Sequence, residues 1–274
     1  MRFSVAVLLA SSAFASELTS PPADLYGGWL NMYDLNFTQA HHVFDQWKQA
    51  HPEDSLGPAS DAAAYLFAEL ARLGALESEL FIDNSVFETR SRLHPDPHVR
   101  EMFNREIKSA DRLADSTLHS ASSSPGALFA KTLTFGLRAD FAAMIDKQDL
   151  AALRYTKQGR AYADQLMAIE PKAYDAYLGA GIENYLLSLK PAPLRVLLRW
   201  TGSQVDREKG IAQLKITAQH GKYLEPFAKL LLAVAALRDD NRSRARQLLG
   251  ELHRRFPDNP LYLRELKRLA PAAK

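Results

Sequence analysis

KYLEPFAKLLLAVAALRDDNRSRARQLLGELHRRFP, residues 222–257, is the stretch that decides the fold. Apolar residues recur at three- and four-residue spacing along residues 227–237, which is the period of an α-helix with one buried face. Pro226 and Pro257 stand where a helix starts or has already ended, and a missing N–H costs least at such positions. The stretch therefore predicts helix and no strand.

The same helical period extends outward over most of the chain, and strand signals are almost absent. Further prolines stand between these periodic segments or at their starts. The sequence therefore predicts an all-α fold, with the other strongly periodic segments at residues 61–73, 99–118, 150–169 and 211–218.

Three segments are similar to one another when they are aligned on Pro52, Pro171 or Pro257. Each has a small residue twelve positions before its proline and apolar residues eight and five positions before it. The residues are Ala40, Phe44 and Trp47, then Gly159, Ala163 and Leu166, then Ala245, Leu249 and Leu252.

These positions resemble the second half of the tetratricopeptide (TPR) repeat, in which a small residue, an aromatic residue and a proline mark helix B and its exit. Gly179 and Ala233, each after a leucine, fall where the family has Leu-Gly in helix A, and Gly28 holds the same small position in the first unit. A small residue there lets helix B approach, so that its large apolar residue fills the adjoining hole. In the middle unit, Lys147 stands at this position.

The resemblance covers residues 24–52, 172–189 and 222–257. It implies an irregular α-solenoid of antiparallel, TPR-like helix pairs. The family's usual function, which the resemblance also implies, is to bind a protein or peptide partner in a groove.

Spacing predicts how the single domain, residues 16–274, departs from regular repeats. Pro171 and Pro257 are 86 residues apart, whereas two 34-residue units would separate them by 68. We place these additional residues at residues 190–205, before a helix that begins near Asp206. Residues 53–147 are expected to hold degenerate or lengthened hairpins, and residues 260–269 a capping helix of the kind that covers a terminal repeat.

The first fifteen residues have the pattern of a secretory signal peptide. Arg2 supplies the positive start, residues 3–10 (FSVAVLLA) are apolar, and Ala13-Phe14-Ala15 forms an A-x-A cleavage site. The apolar run is shorter than the roughly 20 residues that cross a bilayer. The sequence therefore predicts cleavage after Ala15 and a periplasmic or secreted protein with no membrane contact beyond export.

Composition excludes several classes of function. The 274-residue chain has no cysteine, so disulfides, thiol catalysis and thiolate metal sites are excluded. Its formal net charge of +2 does not suggest a nucleic-acid partner. No HExxH, G-x-S-x-G, S-x-x-K or Walker motif occurs, and we expect no metal and no cofactor.

Polar residues inside two apolar helical runs are the first candidate site. Arg138 and Asp140 interrupt residues 133–145, and Glu183, Asn184 and Tyr185 interrupt residues 178–189. Burying an unpaired charge is costly, so these groups are expected to meet partners. The partners are either one another, in the core, or a ligand on the inner face of the helices.

The inserted segment is the second candidate. Its apolar residues, which include Trp200, lie on one face of a short helix, and Arg195 and Arg199 share the other. Such a helix either folds back over the core or contacts a partner or a membrane surface.

The sequence therefore favours an exported, non-catalytic scaffold with a protein or peptide partner. Two alternatives stay open. One is an all-helical periplasmic enzyme that acts on a polymer with Glu183 and Asp140 as acid and base. The other is a lipid-surface binder that uses residues 194–200.

Overall fold

The computed structural model describes residues 24–75, 94–189 and 205–270 of the chain. Within these ranges 80% of the residues are helical and no strand is present, which confirms the predicted all-α class. The proposed signal peptide and residues 190–204 of the inserted segment, including Arg195, Arg199 and Trp200, lie outside the described residues.

Eleven α-helices are present in the described ranges. They are α1 (Leu25–Tyr33), α2 (Phe37–Ala50), α3 (Leu56–Arg72), α4 (Pro97–Ser120), α5 (Pro125–Asp140), α6 (Asp149–Ile169), α7 (Tyr177–Ser188), α8 (Arg207–His220), α9 (Glu225–Arg238), α10 (Arg242–Arg255) and α11 (Pro260–Arg268). A π-helical turn, Phe141–Ile145, continues α5, and a short 3-10 helix, Tyr174–Ala176, leads into α7.

Side-chain caps explain why many of these helices start where they do. In six of the described helices, an Asp or Asn at the N-cap accepts a backbone N–H from the first turn, which would otherwise lack a partner. Proline in the first turn of α4, α5, α9 and α11 adds a residue whose missing N–H costs nothing there. The capping residues are Asp24, Asn36, Asp96, Asp206, Asn241 and Asn259.

Helices that follow one another along the chain pack against one another, and small residues set how closely they approach. Gly28 of α1 faces Phe44 of α2 so closely that an added Cβ would lie 2.2 Å from the ring, as the predicted pairing of a small and a large residue requires. At the crossing of α7 and α8, a Cβ on Gly210 would lie 2.6 Å from the backbone nitrogen of Tyr185. Both crossings therefore depend on glycine.

Two positions of the repeat alignment, Lys147 and Gly179, lack the close crossing that the resemblance implies. Gly159 does pack closely, because an added Cβ would lie 3.2 Å from Phe135 of α5, the helix that precedes α6. Lys147 lies in the connection after the π-helical turn, with a φ of 55°, and the extra turn shifts the register that the sequence suggests. In α7 the small residue at the crossing is Gly181, which faces Leu214 at 3.0 Å, and Gly179 faces open space.

The first helix also contacts the C-terminal helices, although they are about 190 residues or more away in sequence. The Tyr33 hydroxyl donates to the carbonyl of Tyr223 at 2.9 Å, and the Asn259 amide donates to the carbonyl of Tyr33 at 2.8 Å. The Phe256 ring packs 5.7 Å from the Tyr33 ring. A simple solenoid makes contacts only between adjacent repeats. Here the two ends of the described chain meet and help to enclose an interior space.

Candidate functional site

A partly enclosed cavity of about 120 Å³ lies among α1, α3, α5, α6, α7 and α9. We call it the six-helix cavity. An engineered protein cavity of about 150 Å³ takes up benzene, so this space suits a small ring compound. Its wall is mainly apolar and includes Trp29, Tyr33, Phe67, Leu133, Leu137, Leu178, Ile182, Leu224 and Phe227.

Two glycines within helices keep part of this space open. A Cβ added to Gly136 of α5 or to Gly179 of α7 would meet no atom within 4 Å, and both residues line the cavity. Glycine inside a helix costs roughly 0.5–1 kcal/mol relative to alanine. Close packing explains the glycine at several other helix positions, whereas Gly27 and Gly126 share the open surroundings of these two. The close-packed glycines are Gly28, Gly159, Gly181 and Gly210.

Asp140, at the C-terminal end of α5, places a carboxyl in the cavity wall. Asp140 is half-buried and is one of the residues that line the cavity. The described residues make no hydrogen bond or ion pair with this carboxyl. Because burial disfavours the charged form, the pKa of Asp140 rises from its ordinary 3.8 to about 7. The carboxyl therefore changes its charge near neutral pH.

Arg160 of α6 also lines the cavity, and its charge is already matched by carboxylates. Its Nε donates to Oδ1 of Asp164 at 2.7 Å, and its Nη1 lies 3.7 Å from Oε2 of Glu183. Glu183 itself is 5% exposed and is not part of the cavity wall. The structure thus places Glu183 beside Arg160, and Asp140 alone of the two proposed acid–base residues lines the cavity.

Asp175 is a wall residue that organises a neighbouring connection. Its carboxylate accepts backbone N–H groups from Lys222 at 3.0 Å, Tyr223 at 3.2 Å and Leu224 at 2.9 Å. Burial raises the pKa of Asp175, and these three hydrogen bonds offset part of that rise. Asp175 therefore holds the connection between α8 and α9 against the 3-10 helix that leads into α7, so its hydrogen-bonding capacity is used within the protein.

Arg138 lies away from the cavity. Its guanidinium pairs with the carboxylate of Asp111 on α4, which also accepts from Lys131 at 3.0 Å and from Thr134 at 3.2 Å. The same guanidinium lies 5.2 Å from the centre of the Phe135 ring. Arg138 thus takes part in an ion cluster between α4 and α5.

Asn184 and Tyr185 lie at the packing of α7 on α8. Asn184 is fully buried and donates from Nδ2 to Oε1 of Gln213 at 2.9 Å. Tyr185 is 3% exposed, and the guanidinium of Arg207 lies 5.9 Å from the centre of its ring. The structure therefore separates the five described candidates, with Asp140 in the cavity wall and the others outside it.

A second polar cluster, which the sequence analysis did not identify, joins α2, α3 and α4. Asp61 is 2% exposed, and its two oxygens lie 2.5 Å from His41 Nδ1 and 2.5 Å from Lys48 Nζ. Lys48 also lies 3.2 Å from Glu106. Asp61 and Glu106 are both buried and each has a cationic partner, so packing alone can explain the cluster.

Most of the cavity wall gives no signal in the sequence. Arg160, Asp175 and the aromatic residues of the wall come from separate helices and carry no shared spacing in the sequence. Gly136 and Gly179 did carry a signal, because each interrupts a helical apolar run with the residue that least favours a helix interior apart from proline.

Comparison of the sequence with protein-family models and with curated proteins finds no match. No group of three or more His, Asp or Glu side chains in residues 24–75, 94–189 and 205–270 is arranged to hold a metal ion. None of the helices in the described part of the chain is long and apolar enough to cross a membrane.

Proposed function

We propose that this protein is an exported, non-catalytic binding protein built from TPR-like helix pairs, and that it holds a small molecule in the six-helix cavity. The observation that carries the proposal is the cavity wall, in which a carboxyl that no described residue contacts by a hydrogen bond or ion pair stands among apolar side chains. Small-molecule sites are typically apolar concavities with a few polar groups that orient the ligand.

The features of the wall that lower stability support a binding role. An enclosed carboxyl without a hydrogen-bond donor is unfavourable, and so is a glycine in a helix where an alanine would fit. Asp140, Gly136 and Gly179 combine these costs at one place. Local departures from the most stable choice are expected at functional sites.

A binding role fits the cavity better than the enzymatic alternative. Hydrolysis of a glycosidic polymer commonly uses two carboxyl groups roughly 5–10 Å apart, both of which reach the substrate. Here Asp140 lines the cavity, whereas Glu183 is buried beside Arg160 outside the wall. A space of about 120 Å³ also has no room for a polymer chain.

The TPR-like architecture remains part of the proposal. The close approach of Gly28 to Phe44 and the packing of α9 against α10 support TPR-like helix pairing in the first and last units. The contacts between α1 and the C-terminal helices bring the two ends of the described chain together, and they support a closed arrangement of helices around the cavity.

A protein or peptide partner is the second candidate function, favoured by a groove of about 380 Å³ along α8, α9 and α10. Leu232 and Leu248 contribute apolar surface, and Lys215 and Arg244 contribute charge. Exposed Ala212 lies in this groove, so an Ala212→Arg variant would obstruct it. Loss of a captured protein partner with this variant, but not with the exposed control Gln219→Arg, would favour this second function.

The test of the main proposal compares ligand-induced stabilisation in a blocked and an unblocked protein. Toluene and benzamide should raise the melting temperature of the wild type, because a ligand that binds only the folded state stabilises it by about 2.7 kcal/mol at 100 times its Kd. Gly179→Leu fills the cavity and should remove the effect, whereas Gly250→Leu, which lies outside the wall, should keep it. Equal shifts in both variants, or no shift in the wild type, would contradict the proposal.

A further inference from the structure

The polar groups of the six-helix cavity differ in how much hydrogen-bonding capacity they have left. Tyr33 donates to a backbone carbonyl, as do Thr132 and Thr156, and Asp175 accepts three backbone N–H groups. Asp140 has no such contact within the described part of the chain. A carboxylate can accept about four hydrogen bonds, so a ligand that supplies donors would find them all open.

The charges around the cavity favour a cation over an anion. The wall carries two carboxyls, Asp140 and Asp175, and one guanidinium, Arg160. The charge of Arg160 is paired with Asp164, which accepts from its Nε at 2.7 Å, and with Glu183 at 3.7 Å, although its Nη1 makes no hydrogen bond within the described part of the chain. A ligand carboxylate would compete with these two groups for Arg160, whereas a ligand cation would meet Asp140 without a competitor.

The apolar part of the wall defines the remainder of the ligand. Trp29, Tyr33, Phe67 and Phe227 surround the space with aromatic rings, and such rings favour both apolar groups and nearby cations. Resting on the proposed function, we infer that the ligand is a small organic cation, an ammonium or amidinium group on a single ring or short chain, bound through the Asp140 carboxylate.

This assignment predicts that ligand binding is linked to release of a proton. The titratable or charged groups that line the cavity with Asp140 are Tyr33, Arg160 and Asp175, and burial rather than their charge raises the pKa of Asp140. Burial alone raises that pKa to about 7. A cation binds the ionised carboxylate, so below about pH 7 the affinity should fall roughly tenfold per pH unit while nearly one proton is released.

Three probes of nearly the same shape separate the effect of charge from that of size. Benzamidine is cationic, benzamide is neutral and benzoate is anionic, and all three carry one ring of a size suited to the cavity. Titration calorimetry should be run at pH 6 and pH 8.5 in buffers of different ionisation enthalpy. The proteins to compare are the wild type, Asp140→Asn and the exposed control Asp258→Asn.

At pH 8.5 we expect benzamidine to bind the wild type and Asp258→Asn at least about tenfold more tightly than benzamide, because a charged pair is stronger than a neutral hydrogen bond. Asp140→Asn should lose this preference. At pH 6 the wild type should release nearly one proton on binding benzamidine, and Asp140→Asn should release none.

The outcomes that overturn the inference differ from those that overturn the proposed function. Equal binding of benzamidine and benzamide, blocked in both cases by Gly179→Leu, would reject the cationic ligand but retain the cavity as the site. A preference for benzoate would assign Arg160 as the anchor, and a benzamidine preference that survives in Asp140→Asn would exclude Asp140. Failure of all three probes to bind would overturn both proposals.

Discussion

Replacing Asp140 by asparagine should stabilise the folded protein, although it alters a proposed ligand contact. The carboxyl has no hydrogen-bond or ion-pair partner among the described residues, and burial raises its pKa from 3.8 to about 7. A difference of this size corresponds to about 4 kcal/mol of unfavourable free energy when the group is ionised, an upper value if water in the cavity solvates it. Asparagine has nearly the same shape and never carries the charge.

The direction of the stability change with pH, and the pH range over which it occurs, follow from the pKa values of Asp140 in the unfolded and folded states. Because the folded state binds the proton more tightly than the unfolded state, the wild type loses stability as the pH rises from about 4 to about 7, and the loss then levels off. The advantage of Asp140→Asn should therefore be about 1 kcal/mol at pH 4.5 and about 4 kcal/mol at pH 8.

Urea unfolding followed by circular dichroism at pH 4.5, 6 and 8 measures this advantage directly. Asp258→Asn serves as the control, because Asp258 is exposed and its carboxylate makes no contact with the described residues. The control should differ from the wild type by less than about 0.5 kcal/mol at each pH. An advantage of Asp140→Asn that stays constant with pH would refute the reasoning.

Three further predictions concern packing, chain closure and export. Ala245→Leu should lower the free energy of unfolding in urea by about 1–3 kcal/mol, because Ala245 is 0% exposed. The control Arg242→Ala, at a side chain that is 70% exposed, should lower it by less than about 0.5 kcal/mol. Equal urea midpoints for the two variants would contradict the assigned crossing. Asn259→Ala should cost about 1–3 kcal/mol, because it removes both a helix cap and the donor to Tyr33, and an unchanged unfolding free energy would argue against this contact. N-terminal sequencing of protein from its native host should begin at Ser16, and an intact Met1 would exclude cleavage.

The sequence predicts the local structure well because local structure depends on neighbouring residues. The helical class follows from apolar spacing, and Asp96 before Pro97 marks the start of α4 as capping chemistry requires. The repeat alignment does not hold at Lys147, because a π-helical turn lengthens the segment between α5 and α6 and no pattern in the sequence predicts this turn.

The candidate site could be predicted only in part, because a polar residue in a helix can face either of two neighbours. Arg138 and Asp140 are two residues apart on α5 and therefore point to different sides of the helix. Arg138 meets Asp111 of α4, and Asp140 faces the cavity. The cavity itself depends on contacts between residues as far apart as Tyr33 and Tyr223, which no local pattern encodes.

A crystal structure of the wild type with benzamidine at pH 8 tests the central claim most directly, because it shows whether the six-helix cavity holds a ligand. The account predicts one benzamidine in the cavity, its ring among the aromatic wall residues and its amidinium about 2.7–2.9 Å from the Asp140 carboxylate. A cavity that contains only water while benzamidine is bound elsewhere on the protein would contradict it.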